Sequence, residues 1–103
     1  DVYKRQEMVP ELKLQLGEIY RNLKEFGKAR EQFEEVLEME EMEEEALFYL
    51  GRLSFDEGKY AEALNRYLEL LKKYPSSKYR VEALKSIKSI SVLRKLIAKR
   101  VKE

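Results

Sequence analysis

Five carboxylates crowd into six positions, Glu40, Glu41, Glu43, Glu44 and Glu45, and a hard divalent cation is the ligand such a cluster would take. A calcium loop alternates its ligands with a turn-forming glycine, and that spacing is absent. Glu43, Glu44 and Glu45 instead suit the start of a helix, where the positive end of the macrodipole favours them. Glu38, Glu40 and Glu41 fall at the end of a preceding helix, where negative charge is disfavoured. The run therefore reads as a solvated charged edge and no metal site is expected.

A second cluster is basic. Lys85, Lys88, Arg94, Lys95, Lys99, Arg100 and Lys102 surround an apolar stripe of Leu84, Ile87, Leu93, Ile97 and Val101. A helix of this kind can lie on anionic lipid or on nucleic acid, with Lys95, Lys99 and Arg100 as the candidate basic surface. Tyr79 stands alone as an aromatic, which counts against base stacking. The plainer account is that Lys and Arg favour a helix C-terminus and cover its outer face. Contact with the Glu-rich run of the same or a neighbouring molecule is a further option.

Catalysis has little to work with. The chain contains no His and no Cys, so imidazole bases, thiolate nucleophiles, thiolate zinc sites and disulfides are excluded together. Its six serines have no imidazole to activate them. Gly17 and Gly51 stand singly within helical patterns, not in a phosphate-cradling loop. No catalytic residue, cofactor or small-molecule substrate is expected, and the chain reads as a non-enzyme.

The elements that would position these groups follow from size and pattern. At 103 residues the chain has the length of one compact domain. It carries 21 basic and 20 acidic side chains, for a net charge of +1. That balance argues against a wholly basic nucleic-acid binder and an acidic disordered tail. No apolar run approaches the roughly 18 residues that span a bilayer. The neutrality is a sum of unequal parts: residues 31–45 hold nine Glu and no cation, whereas residues 78–103 hold nine cations against two Glu. Few Gly, two Pro and abundant Lys, Glu and Leu favour helix throughout.

A shift of 34 residues aligns the sequence with itself: Leu16 with Leu50, Gly17 with Gly51, Ala29 with Ala63 and Leu37 with Leu71. Conservative pairs keep the register, namely Ile19 with Leu53, Phe26 with Tyr60, Phe33 with Tyr67 and Val36 with Leu70. Apolar residues recur at helical spacing within each unit, so each is expected to be two amphipathic helices. Gly17 and Gly51 lie mid-helix, where the missing side chain admits a facing helix; Ala29 and Ala63 are small on that helix, and Phe33 and Tyr67 fill the space one turn later. Gly58 supplies a turn and Pro75 stops a helix.

Leu-Gly, an aromatic three residues on, then Ala, an aromatic four further on and a closing Pro, at a period of 34, resembles the tetratricopeptide repeat. Leu16, Gly17, Tyr20, Phe26, Ala29 and Phe33 carry the match in the first copy. Leu50, Gly51, Gly58, Tyr60, Ala63, Tyr67 and Pro75 carry it in the second. Lys13 and Leu47 stand where the family often has Trp, Ser54 replaces an aromatic and Glu41 replaces the closing Pro. The first unit's second helix is therefore expected to run on or turn loosely near Met42. Ser76 or Ser77 can cap a third helix, whose Gly-equivalent is Lys85; Ser89 and Ser91 mark a candidate break before Val92.

The expected fold is an all-α helix-turn-helix solenoid of about two and a half repeats. Residues 7–43 form the first unit, 44–77 the second, and 78–103 a degenerate third or a capping helix. Residues 1–6 translate GATGTGTATAAGAGACAG, which resembles a transposon-end sequencing adapter. They are read as a scar, with the natural chain entering near Glu7 and its upstream part missing.

The resemblance implies a protein-interaction scaffold that takes a protein or peptide segment in a concave groove. Arg21, Asn22, Phe48, Arg52, Phe55 and Tyr79 line it, the two Phe rings serving as anchors; the alternative is that those rings pack against missing N-terminal repeats or the last helix. Leu14 and Glu18 occupy positions where chaperone-binding relatives begin a carboxylate clamp, so that activity is not implied. Tyr74-Pro75-Ser76-Ser77-Lys78-Tyr79 followed by Glu82-Ala83-Leu84 looks like repeats of bacterial cell-envelope members of the family. A bacterial cytoplasmic or envelope location follows from that likeness. The runner-up function is contact with nucleic acid or an anionic membrane surface through Lys95, Lys99 and Arg100.

Overall fold

A computed structural model describes the backbone of residues 2–102 and the side chains of residues 9–101. The side chains of residues 1–6, read above as a scar, lie outside the described residues. Five α-helices follow one another: α1 Val2–Asn22, α2 Phe26–Leu37, α3 Glu43–Asp56, α4 Tyr60–Lys73 and α5 Arg80–Lys102. No strand occurs among the described residues. The helices pair as α1 with α2 and α3 with α4, with α2 also packed on α3 and α4 on α5. The molecule is elongated, 62 × 31 × 18 Å, as expected when each unit contacts only its neighbours.

Local chemistry accounts for most boundaries. α3 opens on Glu43, Glu44 and Glu45 and α4 closes on Lys72 and Lys73, both matching the sign of the macrodipole. α2 ends at Leu37 without a proline; the chain bends at Met39, and a single 3₁₀ turn, Glu40–Met42, delivers it into α3. The loose junction expected near Met42 is this turn.

The turns inside the two units share one backbone design. At α1–α2 the Glu25 N–H bonds the Tyr20 carbonyl (2.8 Å) and the Lys24 N–H bonds that of Arg21 (2.9 Å). At α3–α4 the Lys59 N–H reaches Ser54 (2.8 Å) and the Gly58 N–H reaches Phe55 (3.0 Å). This pattern of six-to-one and five-to-two bonds needs a left-handed residue after the helix. Gly58 takes that conformation at φ 79°, and Lys24, its counterpart one period earlier, does so at φ 62°. A lysine there carries a Cβ clash that glycine lacks.

The core forms two connected clusters. One joins Leu14 of α1, Ala29, Phe33 and Val36 of α2, and Ala46, Leu50 and Leu53 of α3. The other joins Leu47 and Phe48 of α3, Ala63, Tyr67 and Leu70 of α4, and Ala83 and Ile90 of α5. The segment expected as a third repeat or a cap is one unbroken helix, and Ser89 and Ser91 do not interrupt it. It engages α4 through Ala83, Ile87 and Ile90. A third copy in register would use positions 80, 84 and 87, the counterparts of Ala46, Leu50 and Leu53. α5 is therefore turned about its axis, and Leu84 is left exposed.

Lys24→Gly is expected to stabilise the chain by about 1 kcal/mol, and Gly58→Ala to destabilise it by a similar amount. Urea unfolding followed by circular dichroism checks both.

Candidate functional site

The face built by the first helices of the two units carries a chain of charges. Glu18 and Arg52 are one period apart and occupy the same position in successive units, yet they have opposite signs and pair directly. Arg21 donates to the same carboxylate, from Nε to Oε1 at 3.1 Å and from Nη2 to Oε2 at 3.2 Å, and pairs with Asp56 of α3. Asp56, Arg21, Glu18 and Arg52 thus alternate in sign and cross twice between α1 and α3. Burial works against charge on Arg21, but its bonds to Glu18 and Asp56 outweigh it and raise the pKa above the ordinary value. The Arg52 guanidinium lies 5.4 Å from the Phe48 ring centre and 5.1 Å from that of Tyr49, within cation–π range. Its Nε is buried without a hydrogen-bond partner.

Behind the charges runs a row of aromatic rings. Phe33 stacks on Tyr49 at 5.4 Å, Tyr49 meets Tyr79 edge-on at 6.3 Å, and Tyr79 stacks on Phe48 at 4.3 Å and 8°. This placement corrects the expectation for Phe48. Its side chain is only 3% exposed, beneath Tyr79, so it packs on the segment leading into α5 and offers no ring to an open groove. Phe55 is half-buried and packs edge-on against Tyr60 of α4 at 5.4 Å. Asn22 is exposed at the end of α1, and Tyr79 is half-buried. Burial, reinforced by Tyr49, Glu45 and Glu44, pushes the Tyr79 phenol up to about 12.

Beside the ion chain lies a depression of about 380 Å³, lined by Glu11, Leu14, Gln15, Glu18, Ile19 and Tyr49. Glu11, Gln15 and Tyr49 were not among the residues singled out from the sequence. Gln15 and Tyr49 are one period apart, and that register is the signal that places them on one face.

The acidic run divides in two. Glu38, Glu40 and Glu41 are exposed, as a solvated edge should be. Glu43, Glu44 and Glu45 are instead partly buried and individually engaged. Glu43 accepts from Lys73 Nζ at 3.0 Å and Tyr74 Oη at 2.9 Å, Glu44 from Ser77 Oγ at 2.6 Å, and Glu45 pairs with Lys78 at 3.7 Å. These bonds fasten the start of α3 to the α4–α5 connection. Lys73 and Tyr74 hold the Glu43 carboxyl below its ordinary range. Ser77 also accepts the Tyr79 N–H at 3.1 Å, the local bond that turns the chain into α5.

Ser54, the departure from an aromatic, is buried within 3.4 Å of Arg30, which also pairs with Glu57. Burial disfavours charge on Glu57, but Arg30 and Lys59 overcome it and lower its pKa. Lys95, Lys99 and Arg100 are exposed on the last turns of α5. Lys99 and Arg100 border a depression of about 470 Å³ floored by Leu93, Leu96 and Ile97.

A family model described as a tetratricopeptide repeat matches residues 14–78. The comparison with curated proteins gives no match. The matched span runs from the first described core residue of α1 to the turn before α5, and leaves out the helix whose packing departs from the period.

Tyr79 titrates above the ordinary tyrosine value of 10, so it contributes stability that is full below pH 10 and lost as pH rises towards about 12. Tyr79→Phe keeps the ring stack and is expected to flatten this alkaline loss, read from urea midpoints on either side of pH 10. Glu43 has the opposite sign: its contribution is present above 4.5 and lost as pH falls through the lowered value. Glu43→Gln should correspondingly lose stability at neutral pH and show a shallower acid limb.

Proposed function

The chain belongs to the tetratricopeptide repeat family, whose repeats generally mediate protein–protein interaction, and on that premise we propose that it is a scaffold that binds a segment of a partner protein along the α1–α3 face. The fold is typically a non-enzymatic interaction scaffold. The observation that carries this reading is the depression lined by Leu14, Ile19 and Tyr49 and rimmed by Glu11, Gln15 and Glu18. Its apolar floor takes one side chain of an extended segment. The Glu11 carboxylate on its rim orients backbone N–H groups or a basic neighbour of that side chain, Glu18 being engaged by Arg21 and Arg52.

Arg21 and Arg52 are held in place by Glu18 and Asp56, so little side-chain entropy remains to be lost when a segment settles beside them. With Phe48 covered, the apolar anchoring on this face falls to Leu14, Ile19 and Tyr49 instead of to the Phe48–Phe55 pair. The preferred segment has one large apolar residue beside a basic one, opposite in charge to the rim.

Panning a library of random peptides on the immobilised chain is expected to enrich segments of that composition. Glu11→Lys combined with Gln15→Arg changes two exposed positions and should weaken their binding by about tenfold, roughly 1.4 kcal/mol, with unchanged helical circular dichroism. Enrichment of peptides that bind the double variant equally well would sink this reading.

A further inference from the structure

Two apolar faces have no covering among the described residues, and they lie on the first and the last helix. On α1, Leu12, Leu16, Ile19 and Leu23 follow an i, i+4, i+7, i+11 spacing that places them on one side, and they are 38% to 65% exposed. The second unit shows what this face accommodates. The counterparts of Leu12, Leu16 and Ile19 are Ala46, Leu50 and Leu53, all fully buried against Ala29, Phe33 and Val36 of the preceding helix, α2. The occupant that fits the α1 face is therefore an amphipathic helix.

The second half of α5 is such a helix without a partner. Its first half docks on α4 through Ala83, Ile87 and Ile90. Beyond Ile90 none of the described residues is fully buried; Leu93, Leu96, Ile97 and Val101 share one side at i, i+3, i+4, i+8 spacing, and the last three are 55% to 82% exposed. At a rise of 1.5 Å per residue, Leu12–Leu23 spans roughly 17 Å and Leu93–Val101 roughly 12 Å, so the shorter stripe fits within the longer.

Charge selects between the ways these faces can meet. The end of α5 carries Arg94, Lys95, Lys99 and Arg100, and no acid lies between Glu82 and Glu103. Two such ends brought together would repel. The α1 face is bordered by Glu11 on one side and by Lys13, itself paired with Glu35, on the other. On α2, the counterparts of the α4 residues Lys59, Glu62, Asn65, Arg66 and Glu69 that line the α2–α4 depression are Glu25, Lys28, Glu31, Gln32 and Glu35. Three acids against one cation thus flank the side of α2 that continues the open face; Glu35 is paired with Lys13 and Glu25 with Lys28, which leaves the exposed Glu31 with no ion pair among the described residues.

We infer that this chain associates with a second copy of itself head to tail, the end of α5 from one copy lying on the Leu12–Leu16–Ile19–Leu23 face of the next. The contact is heterologous, so it leaves one free face of each kind and propagates beyond a dimer. This surface shares Ile19 with the α1–α3 depression and has Glu11 at its border, so the Glu11, Gln15 double variant separates the two only in part. Gln15→Arg alone is the control that leaves association intact.

Sedimentation of the whole chain over a range of concentrations tests this. The wild-type mass is expected to rise with concentration past twice 12.3 kDa and to fall with added salt. Leu12→Lys with Leu16→Lys, and separately Leu96→Glu with Ile97→Glu, should each give a monomer of unchanged helicity, since all four positions are exposed. Mixed together, the two variants retain one intact face of each kind and should form a heterodimer and nothing larger. A wild-type chain that stays monomeric throughout, association that survives in either variant, or variants that fail to pair would each overturn the inference. Binding of a persistently monomeric wild type to phosphatidylserine vesicles, lost in Leu96→Glu with Ile97→Glu, would assign α5 to a lipid surface instead.

Discussion

The interlocking of a glycine with an aromatic ring sets the geometry of each helix pair. A Cβ built on Gly51 would lie 2.8 Å from Cε1 of Tyr67, and one on Gly17 would crowd Phe33 more closely still. Both rings are essentially fully buried, so they cannot swing aside. The absent side chain lets the second helix close on the first until the ring sits against bare backbone. Glycine weakens the helix locally by up to about 1 kcal/mol relative to alanine, whereas a buried aromatic side chain contributes several times that. Helix spacing, the position of the turns and the faces that reach solvent follow from this contact. α5 carries Lys85 at the glycine position, and it packs on α4 at a different rotation through Ala83, Ile87 and Ile90.

Once the pairs are closed, polar groups tie the units together. The Asp56–Arg21–Glu18–Arg52 chain bridges α1 and α3, Arg30 bridges α2 to Ser54 and Glu57, and Glu43, Glu44 and Glu45 fasten α3 to the segment after α4. Most of these groups are partly buried, so each makes a directional bond in addition to its Coulomb attraction. The apolar contacts bring the helices together, and the ion pairs fix how far one slides along the next.

The period of 34 made the helices, the pairing and the tetratricopeptide likeness legible, because spacing of apolar and small residues is a one-dimensional property. What it does not contain is rotation about a helix axis. Phe48 and Tyr49 are adjacent, about 100° apart, and only the packing of Tyr79 decides which of them is covered. Charge partners were hidden for a related reason: Glu18 and Arg52 look like unrelated surface residues until the units are stacked. Lys24 concealed a turn that Gly58 announced, since nothing in a lysine signals a left-handed backbone. The exposure of Leu84 and the burial of Ile90 became legible only with the neighbouring helix in place.

The opposite signs of Glu18 and Arg52 also bear on how such a chain can be altered over generations. Repeat proteins grow by copying whole units, and copying works when a unit can stand beside itself. Here it cannot do so freely: the first unit copied after itself would set carboxylate against carboxylate, and the second would set guanidinium against guanidinium. Each unit carries an address in the charge at this one position, and Ser86 holds a neutral hydroxyl one period further on. Order, and not only number, is thereby written into the array.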